Sequence, residues 1–146
     1  MGKILEEYMA GVLFITPYDP KNWEQRDAGE VPKIFAVDVE EFKVQLKNRW
    51  PTSEIRYAPS DAQVLIDWSL APTDSAYGLN GSLFSDHETL TIETGVENNL
   101  VEFILWYRKF IIYKYKLYIF NDVSFERLEL TDKTDASEVK TFIFKQ

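Results

Sequence analysis

The sequence predicts an α+β domain: one mainly antiparallel sheet of about five to seven strands, two main helices over 39–50 and 95–113 on one face, and a short C-terminal helix. Three observations carry this. Several β-type stretches follow one another between residues 54 and 94 with no helix among them, and consecutive strands favour an antiparallel sheet over a doubly wound parallel one. Two longer stretches repeat apolar residues at three- and four-residue spacing, which is the period of a helix. Three capping signatures, Asp38 with Glu41, Thr94 with Glu97 and Asp135 with Glu138, stand just ahead of helical patterns.

Taken in order, residues 3–10 read as a short helix stopped by Gly11, and Val12 to Thr16 as a short strand. Residues 17–30 are polar, with two prolines and a glycine, and form the longest predicted loop. Residues 31–37 are a strand candidate, and Ile34 to Val37, apolar on both faces, suggests an interior one. In the helix from Val39 to Trp50, Val39, Phe42, Leu46 and Trp50 fall near one side, and Pro51 halts it. Alternation then predicts strands over 54–58, 62–70, 77–84 and 88–94, with a turn at Ser85, Asp86 and His87. In the helix over 95–113, Leu100, Phe103, Ile104, Tyr107, Phe110 and Ile111 form the main stripe. Leu105 and Trp106 widen it, so the helix should be covered on more than one side. Strands over 116–120 and 125–130 and a helix over 136–144 complete the chain. The strand–helix–strand pattern occurs twice, over 31–58 and 88–120, which fits an elaborated ferredoxin-like arrangement.

The chain has 146 residues, of which 45% are hydrophobic. That fits one domain over 1–146 with an ordinary core. Ten Phe, eight Tyr and four Trp are too many for the surface of a chain this short, so most must be core. Glu6 and Glu7 interrupt the first apolar stretch, so neither a secretory signal nor a membrane span is expected. Without cysteine, redox logic does not fix the compartment, and cytoplasmic is the default.

The same counts exclude much chemistry. Cysteine is absent and His87 is the one histidine, so thiol nucleophiles, thiolate zinc sites and two-histidine sites lack their residues. No metal or cofactor is expected. Asp86 and Glu88 around His87 read as a solvated hairpin turn. No glycine-rich phosphate loop precedes a helix. Gly78 and Gly81 read instead as places for a bulge or a close backbone approach. The formal net charge is −8, and only 100–120 is net positive. This disfavours nucleic acid, and the aromatic residues in the basic run from Tyr107 to Lys116 follow core periodicity.

Two sets of candidate residues remain. Asp67 and Glu93 each lie on the less apolar face of a predicted strand. Neighbouring strands would place them on one face, as a paired-carboxylate reaction needs. Tyr18 and Trp23 lie in the long polar loop and Tyr77 follows another loop. Such residues serve either as partner-binding anchors or as pins that hold a loop to the core. The leading expectation is a non-catalytic binding module that acts through a protein partner, of regulatory or toxin-neutralising type, with a homodimer as a further option. The alternatives are a small carboxylate-dependent hydrolase using Asp67 and Glu93, and a small-ligand-binding domain with an aromatic pocket.

Overall fold

A computed structural model describes residues 12–19, 33–59, 63–70, 78–94, 97–123 and 126–145. The predicted helix over 3–10, most of the 17–30 loop, and residues 95–96 with the side chains of the Thr94–Glu97 capping box lie outside what is described.

One seven-stranded antiparallel sheet runs through the fold. Its strands are β1 (Leu13–Thr16), β2 (Glu54–Tyr57), β3 (Val64–Leu70), β4 (Leu79–Phe84), β5 (Leu90–Thr94), β6 (Leu117–Asn121) and β7 (Arg127–Leu130), in the spatial order β2-β3-β4-β5-β1-β6-β7. The helices are α1 (Val39–Arg49), α2 (Glu97–Phe110) and α3 (Ala136–Lys145). None is long and apolar enough to cross a membrane.

The predicted caps at both outer helices are formed. Asp38 accepts the Glu41 amide at 3.1 Å and starts α1. Asp135 and Glu138 make the reciprocal pair ahead of α3, with the Glu138 amide on Asp135 at 2.9 Å. The Trp50 amide still reaches the Leu46 carbonyl, and Pro51 prevents a further turn.

Two corrections concern the strand predicted over 31–37, with Ile34 to Val37 interior. Its described residues, 33–37, belong to no ladder. The Val37 amide donates to the His87 carbonyl at 2.7 Å and the Ile34 amide to the Glu88 carboxylate at 2.7 Å. The apolar run is used one residue at a time: Val37 enters the core, Phe35 packs on Tyr115, and Ala36 stays exposed. Without that strand, the first half of the ferredoxin-like spacing is not built. The second half is: β5 and β6 both pair antiparallel with β1, so they run parallel to each other, joined through α2.

Register places Ile66, Trp68, Leu70, Leu79, Leu83, Leu90, Ile92, Leu13, Ile15, Leu117 and Ile119 on one side of the sheet, all buried in the core with the helices. Among these strands, Gly81 stands where a side chain would otherwise project. Trp68 is its cross-strand neighbour, and the register shifts between Asn80 and Gly81. A Cβ there would lie 2.0 Å from the Thr91 carbonyl oxygen and 2.6 Å from the indole. The indole instead stacks on Phe103 of α2, with centroids 4.3 Å apart and planes at 12°. This is the close backbone approach expected for Gly81.

At the far end of α2, Arg108 is buried, and its guanidinium donates to four backbone carbonyls: Ile111, Ile112, Tyr115 and Leu130, at 2.9–3.2 Å. A cation in the last turn suits the helix macrodipole. Here it also ties the end of α2 to the loop into β6 and to β7. Burial lowers the affinity of the guanidinium for its proton, yet an arginine stays charged at neutral pH.

Two stability outcomes are expected. Gly81→Ala forces its Cβ against backbone and should cost about 3 kcal/mol in urea denaturation. The Tyr107 hydroxyl is buried with no hydrogen-bond partner among the described residues, so Tyr107→Phe should be neutral or stabilising by about 1 kcal/mol. Burial also raises the Tyr107 phenol above its ordinary value of 10.0, with the nearby Arg108 charge opposing. The folded state therefore keeps a proton that the unfolded chain releases above that value. The stability this contributes is intact below pH 10.0 and is lost as pH rises beyond it. Denaturation curves for Tyr107→Phe should show a shallower alkaline decline than the wild type.

Candidate functional site

Three places concentrate polar or exposed aromatic groups. The first is on the sheet face turned away from the helices. Asp67 of β3 lies across from Arg56 of β2 and, on its other side, from Ser82 of β4. The Ser82 hydroxyl donates to Asp67 at 2.7 Å, and the Asn80 amide donates to Glu93 at 3.0 Å. Glu54, Arg56, Asp67, Ser69, Asn80 and Glu93 line one groove of about 210 Å³. The fold thus brings Asp67 and Glu93 to one groove. Both carboxylates are exposed, and each is steadied by a neutral donor. Acid–base pairs of the glycosidase kind set one carboxyl in an apolar pocket, whereas this lining is polar. Such a groove pairs with cations and hydrogen-bond donors.

The second place is the turn between β4 and β5. His87 occupies it with a left-handed backbone, φ 61°. Asp86 accepts the amides of Glu88 and Thr89 and the Thr89 hydroxyl, as aspartate does in turns. Glu88 departs from the expected solvated turn. It is 3% exposed. Its carboxylate accepts the Tyr18 hydroxyl at 2.8 Å, the Ile34 amide at 2.7 Å and the Phe35 amide at 3.4 Å. A buried charge stays where several donors converge on it. Tyr18 is accordingly 4% exposed, and its ring pins the segment after β1 to this turn. Trp23 and Tyr77, the other two aromatic candidates, lie outside the described residues. No group of three metal-capable side chains occurs among the described residues.

The third place was not singled out from sequence. On the outer side of the helices, Trp106 and Phe110 of α2 are half-buried and stack with centroids 5.6 Å apart. With Glu41, Gln45 and Lys109 they line an open trough of about 390 Å³ between α1 and α2. A smaller recess of about 150 Å³, lined by Phe35, Val37, Ile111 and Tyr115 among others, shares Phe110. Just beyond α2, Ile112 is 63% exposed and Tyr113 is exposed. The one signal for this surface in the sequence was the apolar band of α2, wider than a single stripe. The basic-aromatic run from Tyr107 does not present a row of open rings, because Tyr107 and Arg108 are buried.

The Glu88 contacts generate a direct test. Glu88→Gln replaces an all-acceptor group with one that turns donors towards the Tyr18 hydroxyl and the two amides. It should destabilise the fold by about 1–3 kcal/mol. Tyr18→Phe, which removes one partner and leaves the amides in place, should cost less. Urea midpoints of the two variants measure the difference.

No family model, no curated protein and no solved structure matches this chain.

Proposed function

We propose that this domain is a non-catalytic binding module that engages a protein partner through the trough between α1 and α2. One observation carries the reading: Trp106 and Phe110 lie half-open in a concave surface edged by Glu41, Gln45 and Lys109. Rigid aromatic side chains lose little conformational freedom on binding, and they dominate interface energetics when a partner completes their burial. A trough of about 390 Å³ has room for a few aliphatic side chains, and its rim offers groups for polar contacts around them. The fitting occupant is an amphipathic segment with aliphatic anchors and basic flanks. The formal charge of −8 attracts such a segment over long range and repels nucleic-acid backbones. A regulatory or toxin-neutralising role in the cytoplasm, with a basic protein as target, agrees with that charge.

A short amphipathic leucine–lysine peptide serves as the probe, followed by two-dimensional NMR. Saturable shifts should centre on the Trp106 indole and on Phe110. Trp106→Ala should weaken binding about tenfold or more, and the exposed rim reversal Glu41→Lys should weaken it by a smaller factor. Glu93→Gln, on the opposite sheet face, should leave it unchanged. Shifts centred on the groove of Asp67 and Glu93, or no saturable binding, overturn the assignment.

A further inference from the structure

The two edges of the sheet are not alike. At β7, Arg127 is engaged in an ion pair with Asp19 at 3.0 Å. At β2, Glu54 and Arg56 are both exposed, and neither has a side-chain partner among the described residues. We infer that β2 is a docking edge for a second copy of this chain, pairing antiparallel about a two-fold axis at Ile55.

The backbone supplies the first argument. The Ala58 amide donates inward to the Leu65 carbonyl, and Tyr57 lies across from Ile66. Hydrogen-bonding direction alternates along a strand, so Glu54 and Arg56 also face β3, while Ile55 and Tyr57 turn their amides and carbonyls outward. β2 ends the strand order, and no described strand satisfies those outward groups.

Charge supplies the second argument, because it selects the register. With Ile55 on the axis, the two Ile55 residues exchange a pair of backbone hydrogen bonds. Glu54 of each copy then lies directly across from Arg56 of the other, at the closely spaced positions where side chains interact best. Moving the axis to Glu54 or Arg56 sets like charges against each other. Moving it to Tyr57 brings Pro59, which has no amide to donate, into the ladder and leaves both charges unpaired. An isologous contact needs a surface complementary to itself, and Glu-Ile-Arg read antiparallel is complementary to itself.

Exposed apolar groups lie at the same edge. Glu40 of α1 accepts the Tyr57 hydroxyl and Lys47 donates to the Ser53 carbonyl, each at 2.6 Å, so the stripe 40, 44, 47 runs along β2. Val44 on that stripe is 51% exposed and Tyr57 is 58% exposed. Alternating charges and flanking prolines often guard an edge against open-ended pairing. Here Pro51 and Pro59 keep the paired stretch short, which limits assembly to a discrete dimer. Because Glu54 and Arg56 also line the polar groove, each groove would continue into that of the other copy across the axis.

A four-residue strand gives a small interface and hence a weak, rapidly exchanging dimer, populated at about millimolar concentration. Sedimentation equilibrium of the full chain, with amide hydrogen exchange, tests this. The wild type should dimerise as concentration rises, with the Ile55 amide gaining protection in parallel. Glu54→Arg alone and Arg56→Glu alone should each weaken self-association about tenfold or more. Mixing these two variants should restore dimers, because each then opposes its complement, and the double swap should dimerise by itself. Both positions changed are exposed charges, and matching melting curves confirm intact folds. A wild type that stays monomeric at about 1 mM, or dimers indifferent to these swaps, overturns the inference.

Discussion

The absence of a side chain at Gly81 is the constraint on which the rest of this structure hangs. A Cβ at that position meets backbone and indole together, so the space over β4 belongs to Trp68. The indole lies flat there and presents its other face to Phe103. Phe103 continues the stack to Tyr107 and meets Trp50 and Trp106. Phe42 of α1 reaches the same cluster through Trp106, Tyr107 and Phe110. Sheet, α2 and α1 are thereby fixed through one continuous set of ring contacts. Each good pair contributes about 0.5–1.5 kcal/mol beyond the area it buries. Their geometry is also directional, so the cluster sets how far each helix is rotated about its axis.

Two buried charges hold what the aromatic cluster does not reach. Glu88 gathers the Tyr18 hydroxyl and two amides of the chain leading into α1. Arg108 spreads its donors over four carbonyls where α2 ends and β7 passes. Both solve one problem in opposite sense. Irregular chain leaves backbone groups without ladder partners, and a buried orphan is costly. A carboxylate collects amides and a guanidinium collects carbonyls. Neutral dipoles contact each charge directly, and among the described residues neither makes an ion pair, although Glu129 and Asp132 favour the Arg108 charge from further away. Irregular connections can therefore lie against the core.

Much of this was legible in the residues. Period-two alternation located β2 to β5, period-3.6 repetition located α1 and α2, and Asp38 and Asp135 marked helix starts correctly, because these signals are local and single side chains carry them. The segment around Ile34 to Val37 was misread because an apolar run does not reveal whether its amides reach a neighbouring strand or a turn. Glu88 was misread for a related reason. A glutamate beside a turn is solvated by default, and only the long-range arrival of Tyr18 and Ile34 makes its burial tolerable. Asp67 and Glu93 could be assigned to the less apolar face from alternation, but their meeting in one groove depends on β3, β4 and β5 being sequential neighbours. The trough at Trp106 was visible only as a band too wide for one partner surface.

That excess width explains why the candidate interface lies where it does. α2 buries Leu100, Val101, Phe103, Ile104 and Tyr107, a band that spans well over a single stripe and therefore needs cover from the sheet and from a second helix. α1 is the helix beside it, but α1 fully buries only Phe42 and Leu46. A stripe of two residues is too narrow to close over both Trp106 and Phe110. The polar neighbours Glu41 and Gln45 bond to each other at 2.9 Å and form the trough wall where apolar packing would otherwise continue. The same narrowness leaves Val44 exposed above β2. The half-open aromatic trough and the sheet edge that no described strand covers are thus two consequences of one mismatch in apolar width between adjacent helices. A partner surface on either side of α1 would complete the cover that α1 cannot give.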